Sequence, residues 1–278
     1  MRPKRNTEFT PRHASSRTKN AHPGKVYIYG KHALMEALQE GALLEGKQAK
    51  VIRKVFLAPD LMRDSELQNL LKTHNIPTAM LASGKGKELV GRDVPHQGVI
   101  AVMDPSALLM SFDDFLKTLP EDKSSKIAVA ILAEVQDPHN VGAIIRSAAA
   151  FGLMAVLIPE HNQAQITGSV VKASSGMAFR IPLVSIGNIN YTLKVLKEKG
   201  FWVYGLLMEG TTPLGVEAFD TPSAFVIGNE GAGVREKTLA TCDVTLSIPM
   251  HARTESLNAA VSAAVVFYEW SKKHPEAL

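Results

Sequence analysis

The feature that most constrains the fold is a nearly continuous apolar run, IAVAILAEV, at residues 127–135, in which Glu134 is the one polar residue. A strand covered by helices on both faces is apolar throughout, whereas a half-exposed strand alternates apolar and polar residues. The run therefore predicts a central strand of a parallel sheet that is buried on both faces. It places this part of the chain in the α/β class.

Short apolar segments follow this run at regular intervals, with amphipathic segments between them. Strands are predicted at 153–158, 201–207, 224–227 and 244–248, and helices at 167–174, 189–199 and 234–241. Such alternation is typical of a doubly wound sheet, in which ligands bind at the carboxyl ends of the strands. Polar residues directly after these strands are therefore the first candidates for a site.

The residues before the run form a second, smaller α/β pattern. Strands are predicted at 26–29, 51–58, 76–81 and 98–103, and helices at 31–40 and 65–73. Hydrophobic residues make up 45% of the chain, enough for two cores. The predicted organisation is a disordered arm over 1–25, a small domain over 26–104, a linker over 105–125 and a second domain over 126–278.

The predicted arm is strongly basic. It contains seven Lys or Arg residues against Glu8 alone, a charge of +6 in a chain whose total is +4, which leaves −2 for the remainder. A basic arm on a nearly neutral body is suited to attracting a polyanion, and nucleic acid is the natural partner. Two alternatives stay open, a solubilising tail and an organelle-targeting segment.

Several classes of function are disfavoured by what the sequence lacks. No apolar run reaches the roughly 20 residues that cross a bilayer, and no apolar segment follows the basic residues as in a secretion signal, so we expect a cytoplasmic protein without a membrane partner. Cys242 is the single cysteine, which excludes an internal disulfide and a cysteine-rich zinc site. Its position before a predicted strand favours a buried structural thiol over a nucleophile.

The first polar motif is QDPHNVGAIIRSAAAFG, residues 136–152, where the central strand ends and a helix begins. Asp137 and its following proline predict a turn, Asn140 is suited to cap the helix, and Gly152 to end it. Arg146 lies off the apolar face of this helix. It is either a solvated surface residue or, because no acidic partner is apparent on the helix, a ligand for phosphate.

The second motif, GNEGAGV at residues 228–234, also follows a strand and opens a helix. Its glycines permit tight turns and close contact with a ligand. The spacing does not match the dinucleotide-binding fingerprint, and the lysine of a phosphate-binding loop is missing, which disfavours nicotinamide and nucleoside triphosphate sites. Glu230 is either a solvated carboxylate or a group that accepts a proton or binds a cation.

The third motif, residues 248–270, runs from a strand end through a polar loop into an apolar helix of small residues. The loop brings together Arg253, Glu255, Ser256 and Asn258, with Ser256 predicted as the N-cap. Unpaired N–H groups at a helix N-terminus can bind a ligand with acceptor atoms. An ordinary capped helix is the alternative interpretation.

In order and context, the three motifs resemble those of the SpoU/TrmH family of RNA 2′-O-ribose methyltransferases, within the SPOUT class. The resemblance covers residues 127–270. Upstream, YIYGKHALMEAL and VPHQGVIAVM resemble the family's ribosomal-protein-like RNA-binding domain. The resemblance implies a parallel sheet with a deep trefoil knot, S-adenosyl-L-methionine as cofactor, RNA as partner, and a homodimer whose active site is assembled across the interface.

The resemblance also assigns residues, with no metal among the ligands. Backbone groups that hold the methyl donor map onto Gly228, Ile248 and Leu257. The catalytic residues of the family map onto Arg146, Asn140, Glu230, Ser256 and Asn258. One departure is visible, because Ala259 and Ala260 stand where the family commonly has Val-x-Ser-like residues.

The implied activity is methylation of a ribose 2′-hydroxyl, with a guanosine of large-subunit ribosomal RNA as the expected target. A tRNA 2′-O-methyltransferase and a non-catalytic RNA-binding assembly factor are the alternatives. An arginine side chain holds its proton to a pH above about 12, so we expect Arg146 to clamp a phosphate rather than act as a base.

Overall fold

The structure is a computed structural model that describes residues 26–38, 51–91, 94–122, 126–254 and 256–278. The predicted basic arm, the last two residues of the helix predicted at 31–40, and Glu255 lie outside the described residues. The described chain forms two sheets. We call residues 26–103 the front unit and residues 109–278 the second unit.

The front unit is built on a mixed sheet with the order β1-β4-β2-β3. Strand β4 is antiparallel to both β1 and β2, whereas β3 runs parallel to β2. The strands are β1 (Val26–Tyr29), β2 (Ile52–Leu57), β3 (Thr78–Met80) and β4 (Val99–Met103), and the helices are α1 (Lys31–Leu38), α2 (Ser65–Thr73) and α3 (Lys85–Val90). The predicted small α/β unit is confirmed.

The second unit is built on an eight-stranded sheet with the order β10-β12-β9-β11-β6-β7-β8-β5, and its strand pairs are parallel. The strands are β5 (Leu109–Ser111), β6 (Ala128–Leu132), β7 (Ala155–Pro159), β8 (Leu183–Ile186), β9 (Trp202–Leu206), β10 (Thr212–Pro213), β11 (Ser223–Ile227) and β12 (Val244–Ser247). The helices are α4 (Phe112–Thr118), α5 (Pro138–Ala150), α6 (Gly168–Ala173), α7 (Ile189–Glu198), α8 (Glu236–Leu239) and α9 (Ala259–Lys273).

The apolar run at 127–135 is confirmed as a central strand. All five residues of β6 are buried, because Ala130 and its neighbours on one face pack in the core shared with α5 and α9, while Val129 and Ile131 pack in a second core with α7. A strand covered on both faces needs an apolar residue at every position. The deep trefoil knot stays a prediction.

The prediction of a linker over 105–125 is wrong for its middle part. Residues 109–118 form a strand of the large sheet and the helix that follows it. Strand β5 pairs in parallel with β8 at the edge of that sheet, and α4 follows it directly. Phe115 of α4 is fully buried against Val184 and other residues of the second core. Apolar burial therefore holds the segment on the sheet. In the sequence, the flanking Pro105 and Pro120 favour the prediction of a linker.

The two units contact each other through β1 and α1 on one side and α6 with the turn after it on the other. Glycine is required at two points, since an added Cβ would lie 2.0 Å from Tyr27 O at Gly168 and 2.6 Å from Glu36 Cβ at Gly176. Arg180 Nε donates a hydrogen bond of 2.5 Å to Glu36 Oε2 across the same contact. The backbones of the units thus meet directly.

Within the described part of the chain, none of the helices combines the length and apolar character that crossing a membrane would need.

Candidate active site

The strand order of the large sheet reverses between β6 and β11. From β6 the chain proceeds outward through β7 and β8, whereas β11, β9 and β12 lie on the other side. Ligands of open α/β sheets bind at such a switch point, in the crevice outside the carboxyl ends of the strands. The first and second motifs leave these two strand ends, so the sheet brings them together.

Asn140 does not cap helix α5, contrary to the prediction. The N-cap is Asp137, whose Oδ1 accepts a hydrogen bond of 2.9 Å from His139 N, and Pro138 occupies the first turn where no N–H is needed. Asn140 is instead turned inward and is only 8% exposed. A buried amide needs partners inside the protein, and these come from the other two motifs.

A chain of hydrogen bonds connects the three motifs. Asn258 Nδ2 donates to Asn140 Oδ1 at 2.9 Å, and Asn140 Nδ2 donates to Glu230 Oε1 at 2.9 Å. The backbone N–H groups of Gln136 and Asp137 also donate to the Glu230 carboxylate, at 3.3 and 3.1 Å. The structure therefore places three of the five predicted catalytic residues in one network.

The network keeps Glu230 in its charged form. Burial by itself would raise the pKa of this carboxyl, but the hydrogen bonds from Asn140 and from backbone N–H groups outweigh burial and hold the pKa below its usual value. Glu230 is thus an acceptor near neutral pH. It orients the amide of Asn140 rather than supplying a proton.

The glycine-rich loop of the second motif has a fixed shape. Asn229 and Gly233 exchange backbone hydrogen bonds at 2.9 and 3.0 Å, and Asn229 Oδ1 accepts from Gly231 N and Ala232 N. At Gly228 an added Cβ would lie 2.3 Å from Gly233 C, closer than any side chain can approach a backbone. The loop therefore requires glycine at the start of its turn.

Ser256 is not the N-cap of the last helix, contrary to the prediction. Asn258 caps α9, with its Oδ1 accepting hydrogen bonds of 2.9 and 3.3 Å from Ala260 N and Val261 N. The same side chain donates to Asn140 through its amide nitrogen. Asn258 thereby aligns the start of α9 with the start of α5.

A cavity of about 330 Å³ lies beside this network, between the carboxyl ends of β9, β11 and β12 and the start of α9. The three predicted donor-binding residues Gly228, Ile248 and Leu257 line it, together with Ser256. The wall is mostly apolar side chains and backbone of the glycine loop. Among the described residues of the lining, the only charged one is Glu230.

Arg146 does not join the network. It is exposed on the outer side of α5, and within the described residues it has neither a hydrogen bond nor an ion pair to another side chain. Its prediction as a surface residue off the apolar face is confirmed, since Ile144 and Ile145 beside it are fully buried. Among the described residues of the chain, its guanidinium therefore has no binding partner.

The sequence interpretation did not single out several residues of the site, among them Asn229, Leu206 and Met208. Asn229 is the most important, because its Nδ2 also donates to Glu134 O at 2.8 Å and so ties the second loop to the first. Leu206 and Met208 line the cavity from the end of β9. The rule that ligands bind at strand ends would have pointed to both, since β9 was predicted.

Two other chemistries have no support in the described residues. No group of three His, Cys, Asp or Glu side chains there is arranged to hold a metal ion. Burial raises the pKa of the Cys242 thiol to about 11, and its Sγ lies 3.3 Å from Thr238 O as a donor. A thiol held protonated in this way is a poor nucleophile, in agreement with its interpretation as structural.

Comparison with known proteins decides the family. Residues 127–268 match the model of the SpoU rRNA Methylase family, and residues 27–109 match the model described as RNA 2′-O ribose methyltransferase substrate binding. The chain belongs to the SpoU family of RNA methyltransferases. The resemblance inferred from the three motifs and from the front unit is thereby confirmed.

The relatives and solved structures of this SpoU family chain cover nearly its whole length. A protein of Staphylococcus saprophyticus, named as a TrmH family tRNA/rRNA methyltransferase, is 34% identical over 90% of this chain and 96% of its own. The SpoU methyltransferase AviRb of Streptomyces viridochromogenes, solved with AdoMet, has a TM-score of 0.75 at 24% identity, covering 91% of each chain.

An AdoMet-bound rRNA methyltransferase of Sinorhizobium meliloti gives a TM-score of 0.73 at 18% identity, covering 90% of this chain and 87% of its own. At these identities the solved structures show the fold. They agree that both units and the parallel sheet belong to one architecture.

Proposed function

We propose that this SpoU family protein transfers a methyl group from S-adenosyl-L-methionine to the ribose 2′-hydroxyl of a guanosine in large-subunit ribosomal RNA. The observation that carries the proposal is the Asn258–Asn140–Glu230 hydrogen-bond chain beside a half-open cavity at the carboxyl ends of β9, β11 and β12. The match of the front unit to a 2′-O-ribose methyltransferase substrate-binding model supports ribose as the acceptor.

The cavity fits the proposed methyl donor. Its apolar side chains, among them Ile248 and Leu257, are suited to a purine ring, and the backbone of the Gly228 loop offers N–H and C=O groups for polar edges. A phosphate-bearing cofactor would need cationic side chains, and the described lining contains none. A sulfonium ligand carries positive charge, which Glu230 at the wall favours.

The donor, when bound, supplies an electrophilic methyl group, and the residues of the chain supply position and charge. Asn140 and Asn258 are held by each other and by Glu230, so their amides need no reorganisation during the reaction. Alignment of acceptor and donor in such a fixed site accounts for much of the rate in a displacement reaction. Ser256 lies at the cavity wall and is proposed to bind the ribose.

Arg146 is proposed to clamp a phosphate of the target nucleotide. Its guanidinium is exposed and unpaired among the described residues, and arginine binds phosphate through two parallel hydrogen bonds. Single-turnover methylation by Arg146→Lys and Arg146→Ala tests this role. We expect about a tenfold loss for alanine and a smaller loss for lysine, which keeps the charge. Full activity in both variants would exclude an essential role.

A homodimer is proposed through the groove between α5 and α9, of about 630 Å³. Val261 and Tyr268 are 47% and 52% exposed there although both are largely apolar. Asn140 and Asn258 line the groove as well as joining the site network, so a second copy would border the active site. Val261→Asp should shift the mass measured by light scattering from dimer to monomer. An unchanged mass would count against this interface.

The proposed reaction is tested with purified protein, tritiated S-adenosyl-L-methionine and deproteinised ribosomal RNA. We expect label in large-subunit RNA, at a single guanosine that resists alkaline cleavage because its 2′-hydroxyl is blocked. Label in tRNA alone would show that the substrate is tRNA and not ribosomal RNA. Calorimetry separates catalysis from a binding role, since a protein that does not bind the donor cannot be the proposed enzyme.

A further inference from the structure

The small sheet has one face packed with α1 and α2 and an opposite face with aromatic side chains in one row. Ile100 of β4 pairs with Tyr29 of β1 on one side and with Phe56 of β2 on the other. Residues directly opposite each other in neighbouring strands share a face, so the two rings lie about 10 Å apart across the sheet. Both rings are half-buried, and Ile100 between them is fully buried.

Lysines from three different elements converge on these rings. The Nζ atoms of Lys54 in β2 and Lys85 in α3 lie 5.1 and 5.7 Å from the centroid of Phe56. Lys172 of α6 places its Nζ 5.1 Å from the centroid of Tyr29. We call Lys54, Lys85, Lys172, Phe56 and Tyr29 the lysine–aromatic row.

These ammonium groups are exposed and have no carboxylate partner among the described residues. Some other lysines do have such a partner, as Lys31 pairs with Asp64 at 2.6 Å and Lys197 with Asp243 at 2.7 Å. Two cations that meet over one ring repel each other, and only an anion offsets that repulsion. The aromatic rings restrict the positions of the lysine side chains but do not neutralise their positive charge.

The row also joins the two units. Lys172 belongs to the second unit, and it reaches Tyr29 because Gly168, at the start of the same helix, lets α6 lie directly against Tyr27 O. Any side chain at position 168 would push α6 away from β1. The geometry therefore holds cations of both units on one continuous surface.

We propose that the lysine–aromatic row binds successive phosphates of the RNA substrate where its strand passes from the front unit to the second unit. The inference rests on the proposed function and specifies where that RNA lies. A polyanion with regularly spaced charges matches unpaired cations on neighbouring rings. The row acts by positioning RNA, and none of its residues lines the methyl donor cavity.

The test compares Lys54→Gln/Lys85→Gln with wild type in binding to deproteinised large-subunit ribosomal RNA over a series of salt concentrations. Each lost phosphate contact lowers the slope of log affinity against log salt by roughly one, so we expect a fall of roughly two. Adding Lys172→Gln should lower it by about one more. In methylation, KM for RNA should rise while kcat at saturating RNA and donor affinity by calorimetry stay unchanged.

The matched control is Lys194→Gln/Lys237→Gln, which removes the same charge from α7 and α8. These helices pack on the second core, on the opposite face of the large sheet from α6. The control should leave the slope near that of wild type. An equal loss in the control, or an unchanged slope in Lys54→Gln/Lys85→Gln, would overturn the inference.

Failure of this inference and failure of the proposed function give different results. If wild type methylates RNA and the row variants keep their affinity and salt slope, the row is not the RNA path although the enzyme is as proposed. If wild type transfers no methyl group but the row variants lose slope, the row stands as an RNA-binding surface and the proposed activity is wrong.

Discussion

The two sheets hold their polar side chains in opposite ways. At the switch point of the large sheet, Asn140, Glu230 and Asn258 each have a partner within the chain, and their positions are fixed before any substrate arrives. On the small sheet, Lys54 and Lys85 contact only an aromatic ring among the described residues. Chemistry requires fixed geometry, whereas capture of a polyanion requires charge that is left unpaired.

The largest effect should follow from breaking the fixed network at its centre. Asn140→Leu keeps the volume but leaves the Asn258 amide without its acceptor and removes the nearer of the two side-chain donors to Glu230, so that only Asn229 Nδ2 at 3.3 Å remains. We expect single-turnover methylation to fall about 10²-fold, as when one preorganised hydrogen-bond donor is removed. Ala150→Ser, at an exposed position of the same helix and outside both the network and the groove between α5 and α9, is the control. Activity near wild type in Asn140→Leu would mean that preorganisation is not the basis of the site.

An effect of equal or smaller size should follow from disturbing the loop backbone beside the network. In Gly228→Ala the new methyl group meets Gly233 C at 2.3 Å and Val234 N at 2.5 Å, so the loop must shift. We expect donor affinity to fall between about 10- and 100-fold, the equivalent of an overpacking cost of roughly 1–3 kcal/mol. Gly187→Ala, where the added methyl group meets no atom within 4 Å and which lies outside the cavity lining, serves as the control in calorimetry. Equal donor affinities in the two variants would show that the close backbone contacts at position 228 do not determine how the donor binds.

The charge state of the network gives a third prediction, for acid pH. Because the folded pKa of Glu230 lies below its usual value, its contribution to stability is fully present above the unfolded pKa of about 4.3 and is lost as pH falls through the folded pKa. The Tm difference between wild type and Glu230→Gln should therefore be constant above about pH 5.5 and shrink below pH 4. A difference that stays constant down to pH 3 would show that the charge is not what stabilises the network.

The smallest effect is expected on the small sheet, from removing a ring but no charge. Phe56→Leu deletes two exposed cation–π contacts while Lys54 and Lys85 remain. Each such contact contributes about 0.5–1 kcal/mol, so RNA affinity should fall only about threefold with an unchanged salt slope. Loss of slope in this variant would show that the ring holds the lysines in place more firmly than an exposed contact should.

The sequence predicts best what depends on local periodicity. The unbroken apolar residues of β6 and the inward face of α5 follow from burial patterns within one segment. Strands β5 and β8 were not predicted, although β1, β3 and β12, which are equally short, were. Their pairing with each other is decided by apolar burial of distant residues, which no short window contains.

The site, too, has a part that the sequence predicts and a part that it does not. Its position at strand ends is readable from the alternation of elements. The assignment of Asn140 and Asn258 to one site came only from the family resemblance, and their contact across 118 residues was not predicted. The capping errors have a common physical cause. Several polar residues near each helix start could cap it, and tertiary partners decide which one does. Asp137 and Asn258 cap, which leaves Asn140 for the network and Ser256 at the cavity wall.

The double role of Asn258 has a consequence for folding during synthesis. Domains fold as their residues emerge from the ribosome, N-terminal parts first. Asn140 and Glu230 can meet once β11 is made, but the cavity lacks Ile248 and Leu257, and α5 lacks its neighbour α9, until the last segment appears. The nascent chain therefore leaves the side of α5 that packs on α9 exposed until α9 has been made, and binding of the methyl donor requires β12 and α9 to be in place.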